Sequence, residues 1–416
     1  MKQKLTYCIL ITIAFLLSCT RAEDRIAVLW TSCPEFARYC ELFNRSQSKY
    51  KIVARYVANP SLDLLETDER PDVVVGSWLK GAEVRKKFIS LNSLLKETAI
   101  DPDIFYPELL NLGKSDSKQM LLPVSFNLPA LIFRKDAIQP TDDFTISLDE
   151  IQKLSTQYTR TDRNGYTYMG FAPRWDTEFL YLTAKGYNAT FEEQTGFFSW
   201  SETSLKNAVT ALRSFTLETN TSTKAETDFQ FKYLYNNAYT AITSGRCLFQ
   251  YLRSDDLLQL DQDKMASLDF RWLAFNKRTP LDDEVVYAGI YTNGRNKDCA
   301  RAFLTFLFSV DTQKHILLEN SQLGISSMGF GIAGGFSSIR SITENIFPTY
   351  YPALLFHLPQ SSGFMSPHVL PSNWLDIKKE IIIPYLKVAC EIDSDASISE
   401  FTTLGNYINL NKSRRE

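Results

Sequence analysis

The chain is poor in the residues that most enzymatic chemistry needs. Of its 416 residues only three are histidine, His315, His357 and His368, and no two stand at a spacing that would place them on one metal. It has no HExxH, no GxSxG and no phosphate-loop lysine motif. These absences exclude the common zinc-protease, serine-hydrolase and P-loop readings, so neither a metal nor a cofactor is expected and the chain is not read as an enzyme. A large charge of either sign is also missing. The net charge is -3, which argues against nucleic acid as the main partner. Beyond the first twenty residues no apolar run reaches the roughly 20 residues needed to cross a bilayer. Cysteine is sparse and badly spaced: after Cys8 and Cys19 come Cys33, Cys40, Cys247, Cys299 and Cys390, an odd number without a CxxC pair. Cys33 and Cys40 look pairable, yet Pro34 reads as the first turn of a helix. Seven residues of helix span about 10 Å, more than the roughly 7 Å a disulfide tolerates between Cα atoms. The two are expected to stay unpaired.

What the chain does have is a globular mixture, 44% hydrophobic and 22% charged, over a length that exceeds one ordinary core. Two domains are expected. Aromatic residues make up 13%, and tryptophan and tyrosine offer flat apolar faces with a polar edge, suited to half-polar ligands. At the N-terminus Lys2 and Lys4 precede an apolar run from Cys8 to Leu17, then Ser18 and Cys19. This is a signal-peptide pattern, too short for a good transmembrane helix. Leu16-Leu17-Ser18-Cys19 resembles the lipobox of bacterial lipoproteins, which implies acylation of Cys19, a signal peptide over residues 1–18 and a lipidated tether over 19–24. Several acyl chains at about 0.8 kcal/mol per buried CH₂ hold such an anchor in a membrane.

The organising stretch is Gln119 to Asp136. Two apolar runs, Met120 to Leu122 and Leu128 to Phe133, flank Pro123 and the break Ser125-Phe126-Asn127, so the segment reads as strand, bend, strand. The charged, turn-like residues that follow suggest a crossing from one folded unit to another. Before it, Arg25 to Trp30, Lys51 to Val57 and the continuous Val73-Val74-Val75 read as strands, with helices between them at Phe36 to Phe43 and Leu62 to Leu65. Strand and helix in alternation mean a parallel α/β sheet. After it the alternation repeats, with helices from Ser147 and Glu178 and strands at Cys247 to Leu252 and Phe270 to Phe275.

Three motifs invite chemistry and are set aside. Gly329 to Gly334 fits GxGxxG, but it follows a helix and lacks an acid about 20 residues on, so it reads as a hinge loop rather than a dinucleotide site. Asp255-Asp256 could serve a glycosidase, yet nothing separates the pair from solvated surface. Tyr350-Tyr351 offers two phenols for ferric iron, but its place before Pro352 and an aromatic run favours core packing.

The order of segments resembles the extracellular solute-binding proteins that feed ABC importers, in the group containing maltose-binding protein. The resemblance is carried by Pro71-Asp72-Val73-Val74, by Leu122-Pro123 to Arg134-Lys135-Asp136, and by Ser147-Leu148-Asp149-Glu150-Ile151. It continues through Gly245-Arg246-Cys247-Leu248, Tyr287-Ala288-Gly289-Ile290 and Phe364-Met365 to Pro371 with Trp374. It implies the two-lobed periplasmic-binding-protein fold, each lobe a mostly parallel sheet flanked by helices, joined by a hinge crossed more than once. On this reading residues 25–134 and 286–335 form the N-terminal lobe, and 135–285 and 336–416 the C-terminal lobe. The implied function is capture of a sugar or oligosaccharide and delivery to a membrane permease, by a monomer on the periplasmic side of the envelope. Alternatives on the same fold are a ferric-iron or other solute-binding lipoprotein and a non-transport adhesin or sensor.

Ligands of open α/β sheets sit beyond the carboxyl ends of the strands. Trp30, Trp78 and Trp175 each stand just after an expected strand, with Thr31, Ser32 and Asp176 as polar neighbours, and these are expected to bind the solute. Asn127, Arg253 and Asp255 join them as polar groups, and the family resemblance adds Trp374 as a stacking platform. Trp374→Ala is then expected to weaken binding without unfolding the chain.

Overall fold

The computed structural model describes residues 26–96, 99–142, 144–163, 165–195, 197–323, 329–355, 357–358, 363–365, 367–392 and 403–413. The expected signal peptide, Cys19 and the expected tether lie outside the described residues. The described residues form two compact units, one within 26–125 and 285–346, the other within 126–284 and 347–413. The chain therefore crosses at Ser125/Phe126, Glu284/Val285 and Ile346/Phe347. The expected crossings after Arg134 and at Gly335 are displaced, because the strand after the Phe126–Asn127 bend pairs wholly within the second unit.

The first unit is built on a six-stranded sheet, in the order Phe336–Ser337, Leu122–Phe126, Val286–Ile290, Val73–Gly76, Ile26–Thr31, Lys51–Tyr56. Ile26–Thr31 runs parallel to both of its neighbours. Val286–Ile290 returns antiparallel to Val73–Gly76. Val73, Val74 and Val75 have no exposed surface, as a β-branched run covered on both faces should. Gly289 sits where a Cβ would fall 2.5 Å from the Phe88 ring, so only glycine fits at the sheet centre. The helix Phe36–Ser46 buries Phe36, Tyr39, Cys40 and Phe43, spaced at three and four residues so that they share one face. That face meets the helix Lys297–Leu307, where Phe303 packs edge-on against Phe43 at 5.5 Å between centroids.

Lys51–Tyr56 is the outermost strand. Its residue Ile52 is engaged by Asn44 of the adjacent helix: the Asn44 amide donates to the Ile52 carbonyl at 2.8 Å, and the Ile52 N–H donates to Asn44 Oδ1 at 2.9 Å.

The second unit has a four-stranded sheet, in the order Gln250–Arg253, Pro129–Arg134, Leu268–Ala274, Thr145–Ser147. Pro129–Arg134 is antiparallel to both neighbours, and only the Thr145–Ser147 pair is parallel. This sheet is mixed rather than mostly parallel, with Pro129–Arg134 running against both strands that flank it. Helices Leu148–Tyr158 and Thr177–Gly186 lie against it, and Glu202–Asn220 packs on those two helices. Ser147 caps the first of them by accepting from the Glu150 N–H at 3.2 Å.

A tail helix is continuous from Trp374 to Ala389 in three segments. Its middle turn widens, so that the Ile383 N–H bonds the Lys378 carbonyl, next to Pro384, which has no N–H to give. The five cysteines from Cys33 to Cys390 are free, Cys33 and Cys40 among them. Among the described residues no helix is long and apolar enough to cross a membrane.

Candidate functional site

In the first unit the carboxyl edge of the parallel strands brings several polar groups together. Thr31 closes its strand, and its hydroxyl accepts from the Cys33 N–H at 3.0 Å. Ser32 lies beside the end of the next strand, since a Cβ on Gly76 would stand 3.3 Å from its Oγ. Two residues on, Trp78 takes a left-handed backbone (φ 65) that a bulky side chain rarely adopts, and it keeps 9% of its surface exposed. Backbone strain of this kind gathers where function fixes a side chain. Glu35 completes the edge, its carboxyl raised by burial even though its own backbone N–H lowers it. The Glu35 Oε1 lies 2.9 Å from where a Cβ on Gly329 would be, so the glycine segment Gly329–Gly335 folds over this carboxylate. The segment is held by Ser125, which donates to the Ala333 carbonyl at 3.2 Å, and by the Ala333 N–H, which donates to Tyr39 Oη at 3.1 Å. The GxGxxG run is therefore a wall of the first unit and not a hinge.

Trp30 is placed differently from expectation. It lies within its strand, 3% exposed, with the Arg55 guanidinium 5.8 Å from its ring. It lines a cavity of about 560 Å³ with Asp72 and Arg295, toward the amino ends of the strands. The strand runs to Thr31, so the indole falls on the sheet face instead of at the edge.

In the second unit the corresponding edge is an ion lattice. Arg253 ends its strand opposite Pro129 and forks onto both oxygens of Asp255. It also stands 3.4 Å from Glu284 and 3.6 Å from Asp282. Burial opposes its charge, but Asp255 and Asp282 hold the guanidinium ionised well above its ordinary range. Asn127 accepts from the Ser254 hydroxyl at 2.6 Å, and its carbonyl takes the Asp282 N–H at 3.1 Å. Asp176 caps the helix Thr177–Gly186, accepting from the Glu178 and Phe179 N–H groups at 2.8 and 3.2 Å. Burial nevertheless raises its carboxyl. One turn in, Glu178 pairs with Lys378 at 2.6 Å. Burial, helped by Asp282 and Asp283, pushes Glu178 up to about 7 against the pull of Lys378. Burial would lower Lys378, but Glu178 and Asp283 raise it. Trp175 is half-buried, stacked on Phe229 at 5.6 Å and 16°, with its indole N–H on the Glu226 carbonyl at 3.3 Å.

The expectation for Trp374 is corrected. It has no exposed surface, and packs 5.5 Å from Phe191 and 5.3 Å from Phe198. Its indole N–H donates to Asp283 Oδ2 at 3.2 Å. It is the anchor of a core, so Trp374→Ala strikes stability before affinity. Asp283 also accepts from Tyr181 Oη and from Lys185 Nζ, each at 2.5 Å. Tyr351, half of the tyrosine pair, is 5% exposed and packs on Phe347 at 5.5 Å.

Sequence reasoning passed over Glu35, Glu178, Asp282, Glu284 and Lys378. Glu178 and Glu35 carry a readable signal, an acid in or beside the first helical turn after a strand. Lys378 carries none, being one of two adjacent lysines on a helix. Among the described residues no group of three or more histidine, cysteine, aspartate or glutamate side chains is placed to hold a metal ion.

A profile of bacterial extracellular solute-binding proteins matches residues 34–314. Comparison with curated protein sequences gives no match. Solved structures match over nearly the whole chain. An ABC substrate-binding protein from Listeria monocytogenes in complex with cycloalternan is 15% identical with a TM-score of 0.61, covering 94% of this chain and 99% of the other. A cyclic alpha-maltosyl-1,6-maltose binding protein from Arthrobacter globiformis is 15% identical with a TM-score of 0.59, over 87% and 92%. A solute-binding protein from Agrobacterium radiobacter in complex with ribitol is 13% identical with a TM-score of 0.60, over 93% and 98%. At such identities the structures speak for a shared two-lobed fold, and the profile, spanning well over half of the chain, speaks for descent. The chain belongs to the bacterial extracellular solute-binding proteins.

Proposed function

We propose that the protein is the lipid-anchored, solute-capturing component of an ABC importer, and that its solute is a sugar or oligosaccharide passed on to a membrane permease. The observation that carries this reading is the chemistry at the carboxyl edge of each sheet. Ser32, Glu35 and the strained Trp78 supply hydroxyl, carboxylate and aromatic face in the first unit. Asp176, Glu178, Asn127, Asp255 and Arg253 supply an array of oxygen and nitrogen partners in the second. Polyhydroxylated ligands need such mixed donors and acceptors beside an apolar face. Ligands of the structural relatives, cycloalternan and ribitol, are of that kind.

The test is a titration of the chain from residue 20 onward with sugars, sugar alcohols, amino acids and ferric citrate, read by tryptophan fluorescence and thermal melting. A sugar should shift both, since a ligand that binds only the folded state raises its melting point. A folded chain that responds to none of them would favour the adhesin or sensor reading, and a response to ferric citrate alone the iron reading. Trp78→Ala is expected to weaken sugar binding about tenfold or more, through loss of one aromatic platform. Unchanged affinity would remove Trp78 from the site. For the anchor, Cys19→Ala is expected to move the chain from the membrane pellet to the soluble fraction, and pelleting as before would refute acylation there.

A further inference from the structure

The second unit holds another cavity, enclosed by the loop after the helix Thr177–Gly186 and by the paired segments Thr279–Pro280 and Phe364–Met365. Its volume is about 320 Å³, at the lower end of the range for small-molecule pockets. Phe191, Leu281, Met365 and Leu370 make an apolar floor. Polar groups rim it. Lys185 spends two donors inside the protein, on the Leu281 carbonyl at 2.8 Å and on Asp283 at 2.5 Å, and retains a third. Arg278 fixes its guanidinium by donating from Nε and Nη2 to the Phe364 carbonyl at 3.2 and 2.7 Å, and makes no ion pair among the described residues. Asn188, Thr190 and His368 also face the cavity, and among the described residues their side chains form no hydrogen bond.

The balance of charge at the rim is positive. Its one carboxylate, Asp283, is already met by Lys185, Tyr181 and Trp374, which leaves Arg278 uncompensated. The backbone around the mouth is strained as well. Asn188 and Thr190 lie at φ 62 and 47, and Asn276 and Lys277, just before Arg278, at 50 and 63. A β-branched threonine in that region is held there by its surroundings.

We propose that this cavity is a second ligand site, made for a compact molecule with a carboxylate at one end and an apolar body at the other. The carboxylate would take the remaining guanidinium donors of Arg278 at the rim, with Lys185 and His368 nearby, and the body would cover Phe191 and Leu281. This site uses none of the groups assigned to the sugar, so it stands independently of that assignment.

Benzoate is the probe, with benzyl alcohol as its neutral counterpart and acetate as the headgroup alone. Calorimetric titration of the chain from residue 20 onward should show saturable binding of benzoate, with benzyl alcohol and acetate each about tenfold weaker or worse. Arg278→Met, an exposed change at the mouth, should weaken benzoate about tenfold while leaving the melting temperature in place. His368→Ala should weaken it less. Absence of saturable benzoate binding overturns the proposal, as does unchanged binding to the Arg278→Met chain. Displacement of benzoate by the sugar identified above would place it in the solute site and overturn the proposal equally.

Discussion

An Asp283→Ala chain is expected to lose about 3–5 kcal/mol of stability in its second unit, the cost of removing one partner from a buried ion pair. Asp283 is 2% exposed and receives three donors: Lys185 Nζ, Tyr181 Oη and the Trp374 indole N–H. Deleting the carboxylate strands all three at once, two of them on aromatic rings that pack the core. The pH dependence follows from the same geometry. Burial opposes ionisation of Asp283, but Lys185 and Lys378, with hydrogen bonds from Lys185 and Tyr181, hold it down to about 2 against an ordinary 3.8. A carboxyl lowered in this way contributes its stability above pH 3.8 and loses it as the pH falls through about 2. Denaturant unfolding of the variant at neutral pH measures the effect. A loss of only about 1 kcal/mol or less, as for a surface pair, would show the network to be incidental.

Raising the pH should destabilise the protein through Glu226, the second large effect. Glu226 is 2% exposed; Asn220 Nδ2 donates to its Oε1 at 2.8 Å, and its Oε2 has no partner among the described residues. Burial pushes it up to about 7 from 4.5, only partly offset by hydrogen bonds from Asn220 and Thr216 and by Arg174. Between those two values the folded chain holds a proton that the unfolded chain has released. Stability is therefore highest below pH 4.5 as far as this group is concerned, and falls as the pH rises through about 7. At 1.36 kcal/mol per pKa unit the loss is on the order of 3 kcal/mol. Glu178, also near 7 because of burial and the carboxylates around it, adds to the slope. Glu226→Gln keeps the shape and removes the charge, so the difference in stability between about pH 5 and about pH 8 should shrink by that order. A variant whose stability follows the wild-type pH curve would show that Glu226 ionises without cost. The wider consequence is local: Trp175 hangs from the Glu226 carbonyl and stacks on Phe229 of the same helix, so the alkaline limb should also loosen Trp175.

The fold was largely legible in the chain, and the reasons are specific. Val73 to Val75 could only be a strand covered on both faces, and Phe36, Tyr39, Cys40 and Phe43 could only share one face of a helix. What periodicity cannot carry is direction. The bend at Phe126-Asn127 announces two strands, but not that the second enters its sheet antiparallel to both neighbours. The candidate site was legible by position and much less by residue. Strand ends pointed to Ser32, Trp78, Asp176 and Arg253, all of which lie at carboxyl edges. Trp30 failed because one more residue, Thr31, extends its strand and turns the indole onto the sheet face. Trp374 failed because a tryptophan beside a proline-rich loop reads the same whether it faces solvent or a buried aspartate. Lys378 and Glu178 pair at 2.6 Å from two separate segments of the second unit, and no local pattern records a pairing that only the fold creates.

The bond between Asn44 and Ile52 has a consequence for how the molecule behaves in a crowd. An outermost strand normally offers its bare amides and carbonyls to any passing chain, which is how sheets recruit copies of themselves into fibrils. Here a side-chain amide occupies both groups of Ile52, standing in for the missing neighbour near the start of the free border. Lys51 and Arg55 flank it on a segment, KIVARY, whose Val53 and Tyr56 are 40% and 66% exposed. Asn44 thus leaves this border with one pair of bare backbone groups fewer for another strand to pair with.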